Sequence, residues 1–164
     1  MKNIFLGLFI LATFTTHASR EKGISLETLG ALFDEGERPD VEEISNSLWS
    51  GRCFYPDRPS KPRNAGFVFK QESDGKFKAV VFTAQGVRAS RFDNLKENEV
   101  YNLANYPLDY SEAHLKSTHV EFNSDSLKRQ LKVSGQYLIV DMIKISTAST
   151  YGRCYFFIPY RNIN

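Results

Sequence analysis

Asp141 is the side chain of this sequence most in need of a partner. It lies in Leu138-Ile139-Val140-Asp141-Met142-Ile143, the most apolar strand-like run of the chain. A bare carboxylate in such surroundings is costly, so it must be paired, hydrogen-bonded or protonated. Strand alternation places it on one face with Tyr137, Ile139, Ile143 and Ile145. Arg52 and Arg153 are its natural partners. Each directly precedes a cysteine, Cys53 or Cys154, and therefore points to the opposite face from it. If the two cysteines are bridged, the arginines come close together on that other face and call for an anion between them. One outcome is a buried Arg–Asp–Arg network that fixes the fold, the commoner use of such ion pairs. The other is an anion-recognising floor in a barrel, with Trp49, Tyr151 and Tyr155 as aromatic walls and Arg52, Arg153 and Asp141 as ligand-binding groups.

Other chemistry is sparse. No nucleophile elbow, zinc-protease helix, phosphate-binding glycine loop or calcium loop occurs. His114 and His119 have Glu112 and Glu121 alongside, but a five-residue spacing puts two histidines on one face of neither a helix nor a strand. They read as solvated loop residues, and no metal or cofactor is expected. Glu42, Glu43, Glu97 and Glu99 sit in polar surroundings and read as surface charge. The stretch from Tyr55 to Arg63 contains three prolines and the cations Arg58, Lys61 and Arg63. It is expected to be a loop, either solvated or a contact surface for a partner.

The two cysteines share a neighbourhood, Gly51-Arg52-Cys53-Phe54 and Gly152-Arg153-Cys154-Tyr155. In an oxidising compartment two such thiols pair. The bridge would close a loop of about 100 residues, roughly 4.7 kcal/mol in the chain-entropy model. It would also bring the first and last strands together, as closing a barrel does.

The compartment is suggested by the first eighteen residues. Lys2 beside the amino terminus, the apolar run from Ile4 to Phe14 and the small residues of Thr16-His17-Ala18 read as a secretory signal peptide cleaved before Ser19. The apolar run is too short for a spanning helix, which takes about 20 residues. Cleavage removes Lys2 from a formal charge of only +2, so no concentrated basic face supports nucleic-acid or bulk membrane-surface binding. A secreted or periplasmic protein is expected, with residues 1–18 as leader, 19–47 as a helical segment packing on the barrel, and 48–164 as the β domain.

Within that domain the elements are short. Ser25 can cap a helix whose stripe is Ile24, Leu26, Leu29, Leu32 and Phe33, ended by Gly36, and Pro39 to Ile44 can start another helical turn. Strands are predicted at 48–54, 66–71, 76–84, 87–92, 100–103, 120–122, 127–133, 137–146 and 151–158. Asp74-Gly75, Gln85-Gly86 and Ser134-Gly135 are turns, and Pro159 is the expected stop. Residues 106–114 are less regular and could hold a helical turn. About eight short strands behind one helix spell an all-β, mainly antiparallel barrel, with a two-sheet sandwich as the alternative. Ser47-Leu48-Trp49-Ser50-Gly51, with a helical segment before it and a closing bridge, resembles the calycin (lipocalin-type) barrels, although Ser47 stands where their signature has glycine. The resemblance implies a calycin-like barrel of about eight strands.

Function is expected to be a binding module for a small apolar or acidic ligand. The alternatives are a secreted inhibitor or protein-interaction module with a filled core, and a hydrolase whose carboxylates cannot be paired from sequence. A cavity lined by Arg52, Arg153 and Asp141 would select the first. A filled core with a protruding loop from Tyr55 to Arg63 would select the second.

Overall fold

The structure, a computed structural model, describes residues 23–83 and 108–161. The expected leader at 1–18, the Gln85-Gly86 turn and the strand candidates at 87–92 and 100–103 lie outside the described residues. Two helices, α1 (Leu26–Glu35) and α2 (Val41–Ile44), precede β1 (Ser47–Phe54), β2 (Arg63–Gln71), β3 (Phe77–Thr83) and β4 (Ser111–Leu115). Then follow β5 (Val120–Asn123), β6 (Leu127–Ser134), β7 (Tyr137–Lys144) and β8 (Thr150–Arg161). Each strand pairs antiparallel with the next, and β8 returns to β1, closing a barrel of eight strands. The barrel, and not the sandwich, is the outcome.

Alternation decides what fills it. The inward positions of successive strands carry Phe67, Phe69, Phe122, Leu131, Val140 and Phe156, all fully buried in one cluster. The Phe67 ring lies 5.9 Å from Phe122 and 5.4 Å from Phe156 between centroids, within the usual range for aromatic pairs. The middle of the barrel is therefore a packed aromatic core.

The outer face of β6 to β8 is covered by α1. Ser25 caps that helix, its hydroxyl accepting from the Thr28 amide at 3.1 Å, and Leu29 is buried against Phe54 and Tyr155 of the barrel wall. After Gly36 the chain adds a bridge to β6: Glu37 and Val133 exchange both backbone hydrogen bonds, at 2.9 and 2.8 Å. Arg38 then donates to the Lys116 carbonyl at 3.0 Å. Ile44 of α2 is buried in the core cluster, with Val41 packed against it. The barrel end at which β1 begins is thus plugged by the chain's own preceding segment.

Three local expectations are corrected. Residues 111–115 form β4 rather than a helical turn, because pairing with β3 and β5 overrides a weak local pattern. β2 begins at Arg63, within the stretch read as loop, since Arg63 already pairs with Cys53. β8 continues through Pro159, which stands opposite Trp49. The β7/β8 ladder ends at Leu138 and Phe156, so beyond it one side of β8 carries no ladder bond for proline to break.

Candidate functional site

Asp141 and Arg153 are directly opposite on β7 and β8. Arg153 Nε donates to Asp141 Oδ1 at 2.9 Å, and Arg153 Nη1 donates to the Leu26 carbonyl at 3.1 Å. The pair lies on the outside of the barrel wall, under the first turn of α1. Helix and wall approach this closely because residue 30 is glycine: a Cβ there would stand 2.8 Å from Arg153 Nη1. Burial pushes the Asp141 carboxyl above its ordinary value, and the Arg153 charge and hydrogen bond pull the other way. Arg52 shares this outer face, opposite Tyr155, which is itself buried beneath α1. The arginines sit diagonally across the β1/β8 ladder, each facing an aromatic residue, Arg52 facing Tyr155 and Arg153 facing Phe54.

The inner face of the same seam carries the disulfide. Cys53 and Cys154 are direct cross-strand partners with Cα atoms 4.0 Å apart, and both are fully buried in the core. The glycines that precede them are required by close approach. A Cβ at Gly51 would fall 1.9 Å from the Tyr155 carbonyl oxygen, and one at Gly152 would fall 2.7 Å from the Phe54 carbonyl oxygen. The shared Gly-Arg-Cys order is therefore a packing pattern: glycine where the strands press together, arginine outside, cysteine inside.

The six residues proposed for one ligand site thus divide among three places. Arg52, Arg153, Asp141 and Tyr155 lie on the outer face beside α1. Trp49, opposite Phe67, is on the inner face near the plugged end, where its indole N–H donates to Ser47 Oγ at 2.7 Å. It borders a cleft of about 220 Å³ with Asp40, Glu43, Ile44 and Leu138. Tyr151 is at the opposite end. There β8 steps two residues, Gly152 to Thr150, while β7 steps one, Met142 to Ile143. Tyr151 is the extra residue of this bulge, which takes it out of the alternation. Its ring meets Tyr55 edge-on at 5.6 Å.

That end of the barrel holds a second cleft, of about 320 Å³, bordered by Tyr55, Arg58, Arg63, Lys144, Thr150 and Tyr151 with Pro56 and Asp57. The Arg63 guanidinium lies 5.7 Å from the Tyr55 ring centroid. The cations Arg58, Arg63 and Lys144 and the acid Asp57 line the cleft, with Arg58 paired to Asp57 at 3.1 Å. Burial raises the Tyr55 hydroxyl above its ordinary value, Tyr151 adds to the shift, and Arg63 opposes it. The phenol stays neutral at physiological pH and can donate a hydrogen bond to an anion.

Arg129 was not singled out from sequence, although the signal was present: it alternates with Leu127, Leu131 and Val133, a cation on an apolar face. Its ladder partners Phe122 and Met142 are core residues, so its side chain enters the barrel, with the guanidinium 5.9 Å from the Phe122 ring. Its Nε is buried and has no hydrogen-bond partner among the described residues. Of the two histidines, His114 is exposed on β4, and His119 lies 3.2 Å from the Gln130 amide and 3.7 Å from Glu121. No helix among the described residues is long and apolar enough to cross a membrane. Neither the family models, the curated proteins nor the solved structures contain a match to this chain.

Proposed function

We propose that this chain is an exported binding module, secreted or periplasmic, whose packed barrel presents an acidic-ligand site at the end where β1 stops and β2 starts. The observation that carries this reading is the 320 Å³ cleft, with Tyr55 and Tyr151 as walls and Arg58, Arg63 and Lys144 on its rim. Its volume is at the lower end of small-molecule sites, and aromatic surface with convergent charge is their usual composition. The aromatic core leaves the middle of the barrel to side chains, which favours binding at this end over a lipocalin-style interior. The Cys53–Cys154 bridge supports an oxidising compartment.

Native mass spectrometry of protein purified from its own host tests the reading. The wild type is expected to carry an acidic small molecule that the Arg63→Glu/Lys144→Glu variant lacks. Equal loading of both would overturn it. One observation favours a second reading, an inhibitor or protein-interaction module: Pro56 to Lys61 protrude, all exposed, above a filled core. A protein co-purifying in place of a small molecule, and lost on shortening that loop, would select it.

A further inference from the structure

The cleft has a deeper neighbour. Along the ladder, Arg129 pairs with Met142, Met142 with Gly152, and the space above Gly152 is taken by the Tyr55 ring, 2.9 Å from where a Cβ would be. Arg129 is therefore two ladder steps from the Gly152 backbone against which the Tyr55 wall of the cleft packs. Burial disfavours the Arg129 charge, and Asp109, which is exposed, opposes this more strongly than the Tyr151 hydroxyl does. Arg129 stands between Phe122 and Met142 on the ladder, and its Nε is buried with no hydrogen-bond partner among the described residues, an arrangement that an added anion would stabilise.

Resting on the reading of this end as a binding site, we propose that Arg129 is the group that holds the ligand's anion, and that the ligand is a carboxylate on a compact apolar body. The planar fork of arginine matches a carboxylate with two parallel hydrogen bonds. Tyr55 and Tyr151 would flank the apolar body toward solvent, and Arg63 and Lys144 would draw the acid in from the rim. The cleft thereby has a division of labour, rim cations for attraction and a buried cation for recognition.

The probe is benzoate, with benzamide as its uncharged counterpart and inorganic phosphate as an anion without apolar surface. In the wild type labelled with ¹⁵N, the Arg129 Nε–H resonance is expected to shift saturably with benzoate, and to stay in place with benzamide and phosphate. Arg129→Lys keeps the charge but removes the fork, and should weaken benzoate binding at least roughly tenfold. If benzoate binds and the Arg129 resonance does not respond, or if Arg129→Lys binds as the wild type does while Arg63→Glu/Lys144→Glu loses binding, the Arg129 assignment fails and the rim site stands. Failure of the wild type to bind any acid overturns both. The resonance is read in the wild type, so the outcome does not depend on a variant that folds.

Discussion

Asp141 and Arg153 face each other across the β7/β8 ladder, 2.9 Å apart, and the helix laid over them supplies the Leu26 carbonyl as a third member. The two partners are not equally enclosed: the Asp141 side chain keeps 10% of its exposure and that of Arg153 keeps 22%. The same residues could have formed a ligand floor, but the wall turns them outward, and what they hold is α1. An asymmetry follows. Arg153→Met leaves a buried carboxylate bare and should cost about 3 kcal/mol. Asp141→Asn removes the harder charge to bury and lets Arg153 turn toward solvent, so its cost should be nearer 1 kcal/mol. Urea unfolding of both variants at pH 7 measures the difference, and equal losses would show that enclosure is not what separates them.

The pH dependence has a definite sign. Burial raises the Asp141 carboxyl above 3.8, so between that value and its folded one the native state binds more protons than the unfolded chain. The contribution of Asp141 to stability is therefore complete below 3.8 and is lost as pH rises through the folded value. Arg153→Met should push that value further up, making the variant's deficit small at pH 4 and larger at pH 7. Denaturation midpoints of wild type, Arg153→Met and Asp141→Asn across this range test it, with Asp141→Asn expected to lack this component of the slope.

Gly30 lies inside α1, where replacement by alanine ordinarily stabilises by about 0.5–1 kcal/mol. Here the new methyl would sit 2.8 Å from Arg153 Nη1 and 3.1 Å from Cζ. The guanidinium cannot simply swing aside, because it is tied to Asp141 and to Leu26. Gly30→Ala should reverse the usual sign and destabilise by about 1 kcal/mol. Combining it with Arg153→Met should restore part of the helix gain, which a double-mutant cycle by thermal unfolding would register.

Replacing both cysteines by alanine should lower stability by about 2–5 kcal/mol, as loss of a long-loop disulfide usually does. The cysteines are 101 residues apart, so the effect should be felt chiefly through the unfolded chain. Guanidinium titration of the double variant checks the size. An unchanged midpoint would mean that the β1/β8 ladder alone holds the seam.

Much of the scaffold could be read from local chemistry. Ser25 caps α1, Gly75 and Gly135 take the positive φ that their turns need, and the Cys53–Cys154 bridge places β8 against β1 as expected. Alternation also puts Arg52 and Arg153 on the face opposite the cysteines. Alternation does not say which face is the interior, however, and that single bit separates the two outcomes open to the ion pair, a ligand floor and a structural network. β4 was invisible because Ala113 is its one buried residue and Leu115 is exposed, so no period-two signal survives. The contact of Tyr151 with Tyr55 depends on a bulge, a property of two strands together that neither reveals alone.

The sulfurs of Cys53 and Cys154 lie on the inner wall, in residues with no solvent exposure. Thiol–disulfide exchange needs a reductant thiolate to reach one of them. In this protein that requires β1 and β8 to part, since their ladder and the core close over the bond from outside and inside. The kinetics of reduction under native conditions thus become a clock for seam breathing: with a fast reductant in excess, the rate should level off at the frequency with which the barrel opens. A bond that holds the cylinder shut also reports each time it comes ajar.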